Sequence, residues 1–163
     1  MVYVKLLRDT YGGEKYLEHA CAYVENSERY VCSGGYGVDP YNLSYAYNQM
    51  MGVKRYFSKT SGNPLIHLVV SYDQSVPDPF TAADISNAVI SYFTPDYQLL
   101  WCLHGKDRGC SHYHTHIVLN SVSYMNGKMY HSGPAEMNAF ARYVSNVTGQ
   151  TCRWGFDQGG IGC

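Results

Sequence analysis

The chain has no long hydrophobic run. Nowhere in its 163 residues does a stretch approach the roughly 20 consecutive apolar residues of a membrane span. Its start, Met1-Val2-Tyr3-Val4-Lys5-Leu6-Leu7, is too short and too alternating for the apolar core of a secretory signal. The expectation is a soluble, cytoplasmic protein with no membrane segment.

It also lacks a strong charge of either sign. The net charge is −1, so the basic footprint of a typical nucleic-acid-binding domain is absent. Two small groups of cations remain, Lys54, Arg55 and Lys59 in one segment and Lys106, Arg108 and Lys128 around a set of histidines. From charge alone, a solvated face is the better reading of both. No two of the six cysteines (Cys21, Cys32, Cys102, Cys110, Cys152 and Cys163) have CxxC spacing. Without an export signal, idle thiols are expected rather than a disulfide framework. Internal repeats and low-complexity linkers are missing too, and the length suits one domain over residues 1–163. Residues 149–163 are a Gly-rich tail to which the pattern assigns no element.

Tyrosine is abundant, at 17 residues. Phenol rings stack unpaired bases at about 1–3 kcal/mol per base. They are also ordinary core and rim residues, so the count decides little.

Val2–Leu7 reads as a strand, and Leu17, Ala20, Cys21 and Val24 mark a helix from Glu14 to about Asn26. Tyr30–Ser33 is a short strand before a flexible loop at Gly34–Gly37, and Leu43–Tyr56 is a helix closed by Ser61-Gly62-Asn63-Pro64. Leu65–Tyr72 is a β-rich apolar strand. Thr81 and Asp84 suggest a capping box ahead of the stripe Ile85, Ala88, Val89 and Tyr92. Tyr97–His104 and Tyr113–Tyr124 are strands, and Asn126-Gly127 turns the chain back through Lys128–His131. Pro134 opens a last helix with the stripe Met137, Phe140, Ala141 and Val144. This order of elements argues for an α+β sandwich, one largely antiparallel sheet with helices packed on it.

The chemistry-bearing segment is His112-Tyr-His114-Thr-His116. Alternate residues of a strand point to one face, so these imidazoles emerge side by side. The apolar run Ile117-Val118-Leu119 anchors the strand behind them, and His104 ends the preceding strand, within reach if the two are neighbours. Three imidazoles with open coordination positions describe a catalytic metal site. Cys110 stands among them, but a hard cation does not favour a thiolate.

His104-Gly-Lys-Asp107-Arg-Gly-Cys-Ser-His112-Tyr-His114-Thr-His116-Ile-Val-Leu-Asn120, followed by Asn126-Gly-Lys-Met-Tyr-His131, resembles the third motif of the MobA/MobL-type mobilisation relaxases, members of the HUH single-strand DNA endonucleases. Ala22-Tyr23-Val24 looks like the family's first motif and His67-Leu-Val-Val-Ser71 like its second. The similarity covers about Glu14 to Val147, with the three motifs in order. The loop between His104 and the alternating histidines is a few residues longer than is common in the family.

The resemblance implies a nicking and rejoining enzyme with an HUH-like α+β fold, acting on single-stranded DNA at an origin of transfer in a plasmid or mobile element. It implies bacterial cytoplasm and accessory mobilisation proteins as partners. Tyr23 would be the nucleophile, giving a 5′-phosphotyrosyl link, with Tyr16 and Tyr143 as rivals. His104, His114 and His116 would hold the metal, Mn²⁺ or Mg²⁺, with Zn²⁺ or Ni²⁺ able to occupy the site. The longer loop leaves open whether His112 replaces His104 as ligand or acts as the base at the tyrosine. Asp107 would orient an imidazole. Contacts to DNA are expected from Ser71, Lys54, Arg55, Arg108, Asn120 and Lys128. Three other readings remain: a rolling-circle replication initiator of the same class using Tyr143, a non-catalytic metal-dependent binder of single-stranded nucleic acid, and a metal hydrolase acting on small molecules with Asp107 as general base.

Overall fold

The computed structural model describes residues 1–7, 28–107 and 109–156. The expected helix Glu14–Asn26, with Tyr16 and Tyr23, lies outside the described residues, as do Arg108 and residues 157–163.

Six strands form one sheet among the described residues: β1 (Val2–Leu7), β2 (Tyr30–Tyr36), β3 (Leu65–Ser71), β4 (Leu99–His104), β5 (His114–Asn120) and β6 (Cys152–Phe156). Their order across the sheet is β2-β4-β5-β3-β1-β6. Every neighbouring pair is antiparallel except β1 and β6, which run parallel. Three helices, α1 (Leu43–Tyr56), α2 (Pro79–Ile90) and α3 (Pro134–Thr148), complete the α+β architecture.

Strand parity sorts the side chains into two layers. Val4, Leu68, Val70, Leu103, Ile117 and Leu119 point to one face and pack with Val89, Phe93, Met137, Phe140 and Val144 from the α2–α3 side. Burial of each large side chain there is worth about 1.5–3 kcal/mol. The other face carries a smaller apolar cluster, Leu65, Leu100 and Val118 against Val38 and α1's Ala46 and Met50. Beyond that cluster, this second face turns polar.

The helices start where backbone chemistry allows. Asn42 caps α1 by accepting from the Tyr45 amide at 3.0 Å, and Ala46, Met50 and Lys54 follow at four-residue spacing on the buried side. At α2 the cap is Asp78, which accepts from Phe80 and Thr81 at 2.9 Å each. The start thus falls three residues before the expected Thr81, because Pro79 brings a helical φ and no amide to satisfy. α3 ends at Gly149, whose φ of 66° is left-handed.

Two expectations change. β2 runs through Gly34 and Gly35 to Tyr36 instead of yielding to a loop at Gly34. A Cβ at Gly34 would stand 2.8 Å from Trp101 Nε1, so the glycine admits the indole of the neighbouring strand. Part of the unassigned tail becomes β6, with Val2 to Leu6 beside Cys152 to Phe156.

Candidate metal centre

The sheet brings the histidines together by register. His104 on β4 stands opposite His114 on β5, and Cys102 opposite His116. On the other side of β5, His114 faces Ser71 and His116 faces Val69 of β3. Parity then places His104, His114, His116, His67 and Ser71 on the polar part of the second face.

His104, His114 and His116 offer ligand nitrogens that all lie within 4.8 Å of one another. Their ring centroids are 4.8–5.3 Å apart, and all three side chains are buried. Three nitrogens about 2.1 Å from one tetrahedral ion stand about 3.4 Å apart, so the rings close by up to about 1.4 Å to share it. The donor set fits such an ion. Three neutral imidazoles suit the borderline transition metals better than Mg²⁺.

Burial, reinforced by the neighbouring His104, pushes the His114 pKa down to about 4. Desolvation, with His67 next, carries His116 well below its ordinary value. Both shifts favour the neutral ring, the form in which an imidazole binds a cation. His67 Nε2 meets His116 Nδ1 at 3.1 Å, and His114 Nδ1 lies 3.8 Å from Cys110 Sγ.

His112 precedes β5 instead of lying on it, so the expected row of three on one strand is a pair plus a neighbour. The triad takes His104 as its third member. His112 is half-buried, with its ring 6.4 Å from that of His114, and desolvation together with Lys5 and Lys106 lowers its pKa. A cavity of about 320 Å³ beside it is lined by Tyr3, Lys5, Ser71 and Gln74. The Ser71 hydroxyl there is buried with no hydrogen-bond partner among the described residues, a cost that an oxygen-rich ligand relieves.

Asp107 does not orient an imidazole. Its carboxylate pairs with Arg29 and accepts from the Gly109 amide at 2.7 Å, bracing the loop ahead of β5. Lys54 is buried and donates to Ser121 at 2.8 Å, so it presents nothing to a DNA strand. Asn120 is fully buried, its amide donating to the Met50 carbonyl and to Gln98 Oε1. It ties β5 to α1 rather than facing solvent. Arg55 and Lys128 are exposed. Cys110 is disulfide-bonded, against the expectation of idle thiols, and offers no thiolate to an ion; Cys32, Cys102 and Cys152 form no disulfide. Tyr143 donates to the Ala88 carbonyl between α3 and α2, in the layer on the opposite side of the sheet from the histidines.

Sequence reasoning missed His67 and Lys5 as neighbours of the triad. The signal was parity: residues 67 and 71 share a strand face, so a motif ending in Ser71 brings His67 to the same side.

No curated protein and no solved structure is matched by the chain. The model of one family, relaxase of the MobA/VirD2-like type, nuclease domain, matches residues 16–150. That match spans the histidine triad and most of the sheet, and the chain belongs to the MobA/VirD2-like relaxases.

Proposed function

We propose that this relaxase domain nicks and rejoins single-stranded DNA at the transfer origin of a plasmid or mobile element, with Tyr23 as nucleophile. The observation that supports this most is the convergence of three buried imidazoles on one point within a relaxase nuclease fold. Tyr23 enters through the resemblance of Ala22-Tyr23-Val24 to the family's first motif.

In the forward step the phenolic oxygen of Tyr23 forms a bond to phosphorus while the bond to the 3′-oxygen breaks. The products are a 5′-phosphotyrosyl link and a 3′-hydroxyl, and the reverse step rejoins the strand. His112, beside the triad and at the edge of the cavity, receives the phenolic proton and returns it to the leaving oxygen. His104, His114 and His116 would hold a divalent ion, Mn²⁺ in preference to Mg²⁺, which would supply Lewis-acid stabilisation of charge at the scissile phosphate. Ser71 donates its unused hydroxyl to the strand next to the scissile phosphate. Arg55, Arg108 and Lys128 hold flanking phosphates, and accessory mobilisation proteins bring the duplex to the domain.

The test is strand cleavage on labelled single strands drawn from the protein's own genetic neighbourhood, with Mn²⁺ and with EDTA. A single Mn²⁺-dependent break at one sequence is expected. Cleavage that persists in EDTA, or breaks scattered along the strand, overturns the reading.

A further inference from the structure

His67 lies on β3 diagonally behind His116, with its Nε2 3.1 Å from His116 Nδ1. It is buried, an environment that favours the neutral imidazole with one ring proton. None of the chemistry derived above uses it. Two neutral imidazoles meeting nitrogen to nitrogen can place only one proton between them, and which ring owns that proton decides what His116 can do.

If His67 donates, His116 Nδ1 accepts and its own proton sits on Nε2, which then has no lone pair for a cation. If His116 donates from Nδ1, its Nε2 carries the lone pair that a cation needs.

We propose that His67 is a positioning residue for the metal centre: it accepts the Nδ1 proton of His116 and thereby presents His116 Nε2 to the ion. This deepens the metal-centre reading above and rests on the triad, not on the identity of the nucleophile or the DNA. The assignment also fixes His67 itself, whose own proton must then sit on Nδ1, away from His116. Outer partners that orient metal-bound histidines change affinity by about 10–100-fold.

The experiment uses the whole chain and no DNA. Mn²⁺ affinity is measured by calorimetry for wild type, His67→Leu and His67→Gln. Leucine keeps a strand-compatible apolar volume beside Leu65 and Val118, and near- and far-ultraviolet dichroism report whether the fold is retained. Glutamine places an amide oxygen near the position of Nε2, where it can accept. Expected is a 10–100-fold weaker Mn²⁺ affinity for His67→Leu, with His67→Gln recovering most of the loss. In parallel, long-range proton–nitrogen spectra of the Zn²⁺-loaded wild type should show His116 protonated on Nδ1 and bound through Nε2.

A His67→Leu protein that stays folded and binds Mn²⁺ within about twofold of wild type overturns the proposal. So does a spectrum with the shared proton on His67, or one with His116 bound through Nδ1. Should His67→Leu fail to fold, the tautomer spectrum of the wild type decides alone. A domain that shows the affinity pattern but cleaves no strand leaves this inference standing and removes the proposed function. A wild type that binds no Mn²⁺ overturns both.

Discussion

His104 and His114 face each other directly across the β4–β5 ladder, their rings 5.1 Å apart and nearly perpendicular. Neither strand carries the site alone. His114 and His116 share one strand face, and the third imidazole comes from the strand before it, ten residues earlier in sequence.

Loss of one member of the triad should therefore cost more metal affinity than loss of an outer partner. His104→Ala is expected to weaken Mn²⁺ binding by more than the roughly 10–100-fold typical of an orienting residue. Thermal unfolding with and without Mn²⁺ checks this: wild type should gain stability with added metal, and the variant should not. An equal metal-dependent gain in both proteins counts against the triad.

Asn120 separates a structural role from DNA contact. Its buried amide holds the Met50 carbonyl and Gln98, and Asn120→Ala leaves both without that donor. A stability loss of about 2–4 kcal/mol in urea unfolding is expected, with affinity for single-stranded DNA unchanged per folded molecule. Reduced DNA affinity at intact stability would restore the contact role that its place in the motif suggested.

Much of the fold was legible in the sequence because its periodicities were clean. Leu43–Tyr56 appears with the expected bounds, since buried residues at four-residue spacing and a capping Asn42 agree. β3 and the end of β4 also fall where the apolar runs placed them. The misses have separate causes. Gly34 and Gly35 read as loop because glycine is permissive, and the indole that makes it necessary lies 67 positions from Gly34 in sequence, at Trp101. β6 was missed although Cys152, Trp154 and Phe156 alternate as in a strand, because the run is short and its ladder partner among the described residues is the first strand of the chain. At the site, the alternating histidines announced themselves. Asp107 misled because a carboxylate near histidines in sequence is turned in space toward Arg29. His67 was hidden because an imidazole within an apolar strand reads as core.

Lys54 gives the fold a pH dependence. Burial lowers its pKa from 10.5 to about 8, so between those values the unfolded chain holds the extra proton and the folded chain does not. Wild-type stability should therefore rise as pH climbs from about 8 toward 10.5, and be lowest, for this group, below pH 8. Lys54→Met removes the buried charge while Ser121 still donates to the Asn63 carbonyl. At pH 7 it is expected to be more stable than wild type by on the order of 2 kcal/mol. The advantage should shrink toward pH 10. Urea midpoints at pH 7, 9 and 10 check it, and a constant difference across them speaks against a charged Lys54 in the fold.

Gly127 is fixed by its surroundings. Its φ of +71° is left-handed, and a Cβ there would lie 2.5 Å from the Phe57 ring. Gly127→Ala should lower stability by about 2–3 kcal/mol, read as a shift in urea midpoint at unchanged slope. A change below about 0.5 kcal/mol would mean that the turn repacks freely.

The proposed chemistry depends on which side chain becomes joined to DNA. Covalent trapping with Mn²⁺ and single strands from the protein's own locus, followed by peptide mapping of the adduct, answers this directly, with Tyr23→Phe run alongside. The expected result is one phosphotyrosine, at Tyr23, absent in Tyr23→Phe although that variant still retains DNA. An adduct at Tyr143 or Tyr16, or DNA retention and metal binding with no adduct at all, would contradict it.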